Sequence, residues 1–169
     1  MKVNRGKDFE AQIRAAFEKI PDVSIDRLVD QMNGFAGGAN ICDFIVYCCP
    51  NQYYIECKST YGNTLSITSN NEKRHYGAIS DTQWLGLLEK SKIKGVVAGY
   101  MIWFIDWDKT IFITAEDMKA LRDSGAKSLN MNGIIDVPHL TIKGKKKRVL
   151  FDYDMLPFLK GENYEQTNL

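Results

Sequence analysis

Residues 42–58, Cys-Asp-Phe-Ile-Val-Tyr-Cys-Cys-Pro-Asn-Gln-Tyr-Tyr-Ile-Glu-Cys-Lys, decide how this chain is to be read. Cys42 to Cys49 is a β-type apolar run broken by one charge, Asp43. Pro50-Asn51 makes the turn and Gln52 to Lys58 returns, which predicts a hairpin. Side chains alternate along a strand, so Glu56 and Lys58 leave one face while Ile55 and Cys57 leave the other. Pairing about the turn brings Asp43 near Glu56 and Lys58. Two carboxylates about 4 Å apart repel by ~4 kcal/mol at an effective dielectric of about 20. A cation in the gap relieves that repulsion, and hard oxygen ligands suit Mg²⁺ or Mn²⁺, which keep waters and accept phosphate oxygens. An aspartate followed by Glu-x-Lys supplies the parts of metal-assisted phosphodiester cleavage, with Lys58 beside the charge that grows on phosphorus. The plain alternative is a cross-strand salt bridge on a solvated sheet face.

Upstream, Phe9, Ile13, Ala16, Phe17 and Ile20 recur at helical spacing over Asn4 to Ile20, and Pro21 ends that helix. With Phe9 at zero degrees, Glu10 falls at about 100°, on the edge of the buried stripe. Ser24 to Val29 reads as a short strand. Asp30 to Asn40, with three glycines, is a loop that bends sharply or approaches a ligand closely. Downstream, Ser59 to Ile79 is a long polar loop. Ser80-Asp81-Thr82-Gln83 opens a helix as a capping box. Gly95 to Ile105 reads as a central strand buried on both faces, Thr110 to Ile113 as its returning neighbour, and Thr114 to Asp123 as a helix stopped by Gly125. A short helix around Asp152 to Leu159 closes the pattern. This order predicts an α/β domain with a mixed sheet flanked by helices.

The composition agrees. At 169 residues and 19.3 kDa the chain is one domain's worth. Surface scaling lets about 70% of the unfolded chain's surface be buried. With 44% hydrophobic and 25% charged residues, wholesale disorder is excluded. The longest apolar run would span about 16 Å as a helix, short of a bilayer. Met1 to Lys7 lacks the apolar block of a signal peptide, so the expectation is a cytoplasmic protein with no membrane partner. Cys42, Cys48, Cys49 and Cys57 sit in apolar runs without metal-type spacing and read as reduced, buried thiols. A net charge of +1 does not advertise a nucleic-acid binder, so such a role must come from local patches.

Taken together, Asn4-Arg5-Gly6-Lys7-Asp8-Phe9-Glu10, Cys42-Asp43-Phe44-Ile45, Tyr54-Ile55-Glu56-Cys57-Lys58-Ser59-Thr60 and Gln83 at a helix head resemble the Holliday junction resolvase RecU family. That family belongs to the PD-(D/E)xK nucleases, and the resemblance implies a restriction-endonuclease-like core. It runs from about Asn4 to Leu159. It implies that Asp43 and Glu56 ligate Mg²⁺, with Mn²⁺ able to substitute, that Lys58 stabilises the transition state, that Gln83 adds a metal contact and that Glu10 supports the site. It further implies a homodimer that nicks opposed strands of a four-way junction in recombination and repair. Two positions depart from the family pattern. Cys42 replaces the superfamily proline, and Ile41 replaces a ligating threonine, leaving a place for water. The short chain and loop suit a bacteriophage-encoded member.

On this reading the single nuclease domain divides into an N-terminal helix (1–22), a short stalk-like loop (28–40), a catalytic core (42–114) and a basic C-terminal segment (140–160). Phosphate contacts need clustered cations. Lys143, Lys145, Lys146, Lys147 and Arg148 form one cluster, Lys2, Arg5 and Lys7 a second, and Lys73-Arg74-His75 a third. Phe35, among glycines, reads either as a base-stacking wedge or as an anchor for its loop. Two other readings stay open: a superfamily nuclease acting on duplex DNA, and a non-catalytic branched-DNA-binding protein on the same scaffold.

Overall fold

The computed structural model describes residues 4–28, 40–67 and 78–161, with the backbone of Tyr164–Glu165. Asn4 caps α1 (Arg5–Glu18) by accepting the Lys7 N–H, and Phe9, Ile13, Ala16 and Phe17 form the helix's buried stripe. β1 (Ser24–Arg27) is followed by the expected hairpin of β2 (Phe44–Cys48) and β3 (Asn51–Thr60). After β4 (Thr64–Ser66), α2 (Asp81–Ser91) starts on the Ser80–Gln83 capping box. β5 (Val96–Phe104), β6 (Lys109–Thr114) and α3 (Ala115–Asp123) follow. The chain ends through β7 (Ser128–Asn130), β8 (His139–Ile142), β9 (Gly144–Lys147), β10 (Leu150–Tyr153), α4 (Leu156–Leu159) and β11 (Tyr164–Glu165).

Seven strands make one mixed sheet in the order β1-β2-β3-β5-β6-β8-β11. Only β3 and β5 run parallel; the other neighbours are antiparallel. A parallel pair needs a crossover, and α2 supplies it. Alternation along β2, β3 and β5 divides the apolar residues between two cores. Phe44, Val46, Ile55, Met101 and Trp103 pack with the α1 stripe and Phe158 of α4. Ala98, Tyr100, Ile102 and Phe104 pack with Trp84 and Leu87 of α2 and Met118 of α3. The sheet is thus covered on both faces, as the sequence predicts for β5.

Several expectations change. β3 runs past Lys58 to Thr60, and β4 lies inside the stretch expected to be loop, because Leu65 pairs with Leu129 of β7 and both are buried. The final helix is one turn only: Asp152 belongs to β10, which pairs with the basic strand β9. The thiols are all free, but only Cys42 and Cys57 are buried: Cys48 is half-buried against the α1-side core and Cys49 is exposed. The segment 29–39 with Phe35, and residues 68–77 with Lys73, Arg74 and His75, lie outside the described residues.

Ile41 explains one departure in the sequence. A Cβ on Gly86 of α2 would lie 2.3 Å from Ile41 Cγ2 and 2.7 Å from its Cβ, so the glycine makes room for the branched side chain. Position 41 thus anchors the approach to β2 on α2. Gly→Ala inside a helix ordinarily adds about 1 kcal/mol of stability. Gly86→Ala is expected instead to destabilise by about 1–3 kcal/mol, because the overlap falls on a stiff branch point. Pairing it with Ile41→Ala should recover part of the loss in thermal unfolding; a lone Gly86→Ala with a raised Tm would contradict this packing.

Candidate active site

The site is built where β2 begins. Phe44 pairs with Ile55, so the register places Asp43 against the stretch that carries Glu56. The Asp43 N–H donates to the Ile55 carbonyl at 3.1 Å and its own carbonyl accepts from Leu28 N–H at 2.8 Å. Its carboxylate Oδ2 accepts the Cys57 N–H at 2.8 Å. The side chain is therefore pinned across the hairpin by the backbone of the neighbouring strand.

Glu56 is only 2% exposed, although it is an acid within a sheet. Ile55 and Cys57 point into the α1 core, so Glu56 and Lys58 face α2. Lys58 Nζ lies 2.7 Å from Glu56 Oε1. Gln83 Nε2 donates to the same oxygen at 2.5 Å. The second oxygen, Oε2, is buried and has no hydrogen-bond partner among the described residues. A buried acceptor left in this way carries a real penalty unless something positive meets it.

Gln83 does two jobs at once. Its Oε1 accepts the Ser80 N–H at 3.1 Å, completing the capping box, and also accepts from Lys58 Nζ at 3.2 Å. The backbone donor fixes which end of the amide is oxygen. What faces Glu56 is accordingly an NH₂ group, which does not ligate a cation. In this arrangement Gln83 ties the Glu56–Lys58 pair to the start of α2.

Glu10 comes from the other face. Its carboxylate Oε2 accepts from Arg27 Nη2 of β1 at 2.9 Å, and its side chain is 20% exposed. It is close enough to raise the carboxyl pKa of both Asp43 and Glu56. Arg27, which sequence reasoning missed, pairs with Phe44 in the β1–β2 ladder; an arginine one strand away from an acid in an apolar run was the available signal.

Burial dominates the electrostatics. Loss of hydration pushes Glu56 up to about 8, against the pull of Lys58 and with the push of Asp43. Asp43 is also raised by burial, while the Cys57 N–H draws it down. Burial, with Glu56 and Asp43 adding, raises the Cys42 thiol to about 12, so it is not a nucleophile.

The described residues hold no group of three or more His, Cys, Asp or Glu side chains that could cage a metal. The donor set is two carboxylates with an orphaned buried oxygen, which fits an ion that retains much of its water, as Mg²⁺ does.

The cations expected to touch DNA are spread differently from their sequence clusters. Arg5 pairs with Asp8 at 3.2 Å, and Lys7 is exposed on α1. Gly6 lies against Ser59, so the start of α1 sits over the end of β3. Lys145, Lys146, Lys147 and Arg148 form the exposed β9 strand and its turn. Lys146 pairs with Asp108, and Lys147 with Asp152 at 2.9 Å. The run is acid-free in sequence but is partly neutralised by tertiary neighbours.

No protein-family model matches the chain, and no curated protein matches it in sequence. Among solved structures it is similar to Hjc, a Holliday junction resolvase from the archaeal hyperthermophile Archaeoglobus fulgidus, with a TM-score of 0.45 and 14% identity over 66% of this chain and 78% of that one. The resemblance to the RecU family is carried by the sequence motifs alone.

Because folding raises the Glu56 pKa to about 8, the folded state holds a proton that the unfolded chain releases near its ordinary carboxylate range. In EDTA the Tm should therefore fall as pH rises from about 5 to 9. Glu56→Gln should flatten that slope, and an equal slope in both proteins would show that Glu56 is not buried as described.

Proposed function

We propose that this chain is a divalent-metal-dependent endodeoxyribonuclease that cuts four-way or other branched DNA, working as a homodimer in recombination or repair. The observation that supports it most is the buried Glu56 carboxylate, paired with Lys58 and facing Asp43's strand, with one oxygen that has no partner among the described residues. A carboxylate retained there at such cost is explained by a cation. Asp43 and Glu56 would hold Mg²⁺ or Mn²⁺, which when bound supplies charge to polarise a phosphate and to acidify water.

The chain's own groups do the rest. Lys58 brings a positive charge to the phosphate oxygens as negative charge accumulates there. Gln83 fixes where that ammonium sits by accepting from it at 3.2 Å, while it holds Glu56 from the other side. Glu10 adds a third negative charge at the rim, restrained by Arg27. Ile41 lends no ligand, since its side chain is packed on Gly86. Arg5, Lys7 and the cations of β9 would meet backbone phosphates. The mixed sheet between helices is the arrangement expected of a restriction-endonuclease-like core, and a twofold pair of such sites matches the near-twofold symmetry of a four-way junction.

Labelled four-way junctions and linear duplex, incubated with Mg²⁺ or EDTA, test the reading. Wild type should give paired symmetric nicks on the junction in Mg²⁺ only. Asp43→Asn should bind the junction and leave it intact. Mg²⁺ should also raise the Tm of wild type at pH 8 and not that of Asp43→Asn. Equal cutting of plain duplex would make the chain a duplex nuclease of the same superfamily. Binding with no cutting in either metal would make it a non-catalytic binder.

A further inference from the structure

Between α1 and the β1–β2 edge lies a cleft of about 280 Å³, lined by Lys7, Glu10, Ala11, Arg14, Arg27 and Phe44. Three cations and one carboxylate share it, so its net charge is positive. The cleft and the site at Asp43 meet at the rim: Glu10 and Arg27 both line the cleft, and the charges of both act on Asp43. Lys7 and Arg14 stand two turns apart on the exposed side of α1.

The donors are not used up. Among the described residues Lys7 has no ion-pair partner, Arg14 gives Nε to Glu18 at 2.8 Å, and Arg27 gives Nη2 to Glu10 at 2.9 Å. A guanidinium carries five N–H donors in a planar fork, so each arginine can hold its acid and still meet an oxyanion. Glu10 keeps Arg27 oriented and lets the cleft stay positive.

We propose that this cleft binds a backbone phosphate of the nucleic-acid substrate other than the one being cut, using Lys7, Arg14 and Arg27. The inference rests on the nuclease reading and adds Arg14 and Arg27 to it as binding residues. Its effect is to set the path of the strand. With one phosphate held between α1 and β1, the next along the strand is led toward Asp43 and Glu56. Single phosphates held in place confer register rather than sequence preference.

The test is junction binding by fluorescence anisotropy in EDTA, as a function of salt, for wild type, Arg14→Gln, Arg27→Gln and the Lys7→Gln/Arg14→Gln/Arg27→Gln variant. Glutamine is a good helix former and positions 7 and 14 are exposed, so Arg14→Gln keeps the test alive if the triple variant misfolds. Each lost duplex phosphate contact should flatten the log Kd against log salt slope by about 0.9. The triple variant should bind roughly tenfold more weakly at moderate salt. A methylphosphonate at one position near the cut should weaken wild type and leave the triple variant unaffected. Wild-type binding and cutting together with an unchanged slope in the variants would overturn the cleft alone. Failure of the wild type to bind junctions or duplex would overturn the nuclease reading and the cleft with it.

Discussion

A carboxylate buried in a β-sheet is the constraint around which this end of the molecule is organised. Glu56 is removed from water, and neither the sheet ladder nor the apolar neighbours can repay its lost hydration. Lys58 and Gln83 both meet Oε1, and Oε2 has no partner among the described residues. Replacing a buried ion pair by well-packed apolar residues is often neutral or stabilising by about 1–4 kcal/mol, so such a pair is weak evidence for stability as a purpose. An arrangement that burial alone makes unfavourable is better understood as a site than as a brace.

Each surrounding element contributes one restraint to that constraint. The parallel β3–β5 pair sets Glu56 beside Tyr100 and requires the crossover that brings α2 to the sheet. The capping box of α2 then uses one side chain, Gln83, both to satisfy the first backbone N–H of the helix and to hold Glu56. On the opposite face, α1 lays its apolar stripe on β2 and β3 and sets Glu10 at the rim, where Arg27 steadies it. Asp43 is held by the Cys57 N–H, so the two acids are restrained by the same stretch of β3. Glu56, Lys58, Gln83, Glu10 and Arg27 all stand on helices or strands rather than on loops, the framework that places such groups best.

Charge behaves less locally. Lys145 to Arg148 form a run without acids, yet Asp108 from the β5–β6 turn and Asp152 from β10 reach Lys146 and Lys147. Asp152 is also tied to Lys19, and these two ammonium groups hold its carboxyl down at about 2. The opposite holds for Arg14 of α1, which belongs to no sequence cluster but shares a cleft with Lys7 and with Arg27 from another element. A positive surface is thus a property of which elements meet, and the net charge of +1 conceals it.

Sequence alone determined what depends on neighbours along the chain. Helical spacing from Phe9 to Phe17, strand alternation around Asp43 and Glu56, and the Ser80–Gln83 cap are short-range patterns with one favourable local solution, and each was legible. Tertiary structure decided whatever depends on residues far apart in the chain. That β4 exists follows from Leu129, the β9–β10 pairing cuts the last helix to one turn, and Arg27 joins the site through a ladder with β2. Gln83 is the sharpest case: its capping role, and with it which amide atom is oxygen, could be read from four residues, but that the remaining NH₂ group meets Glu56, twenty-seven positions away, is decided by the fold. Hydrogen bonds and burial are satisfied in space, so a pattern along the chain specifies them only where the partners are also close in sequence.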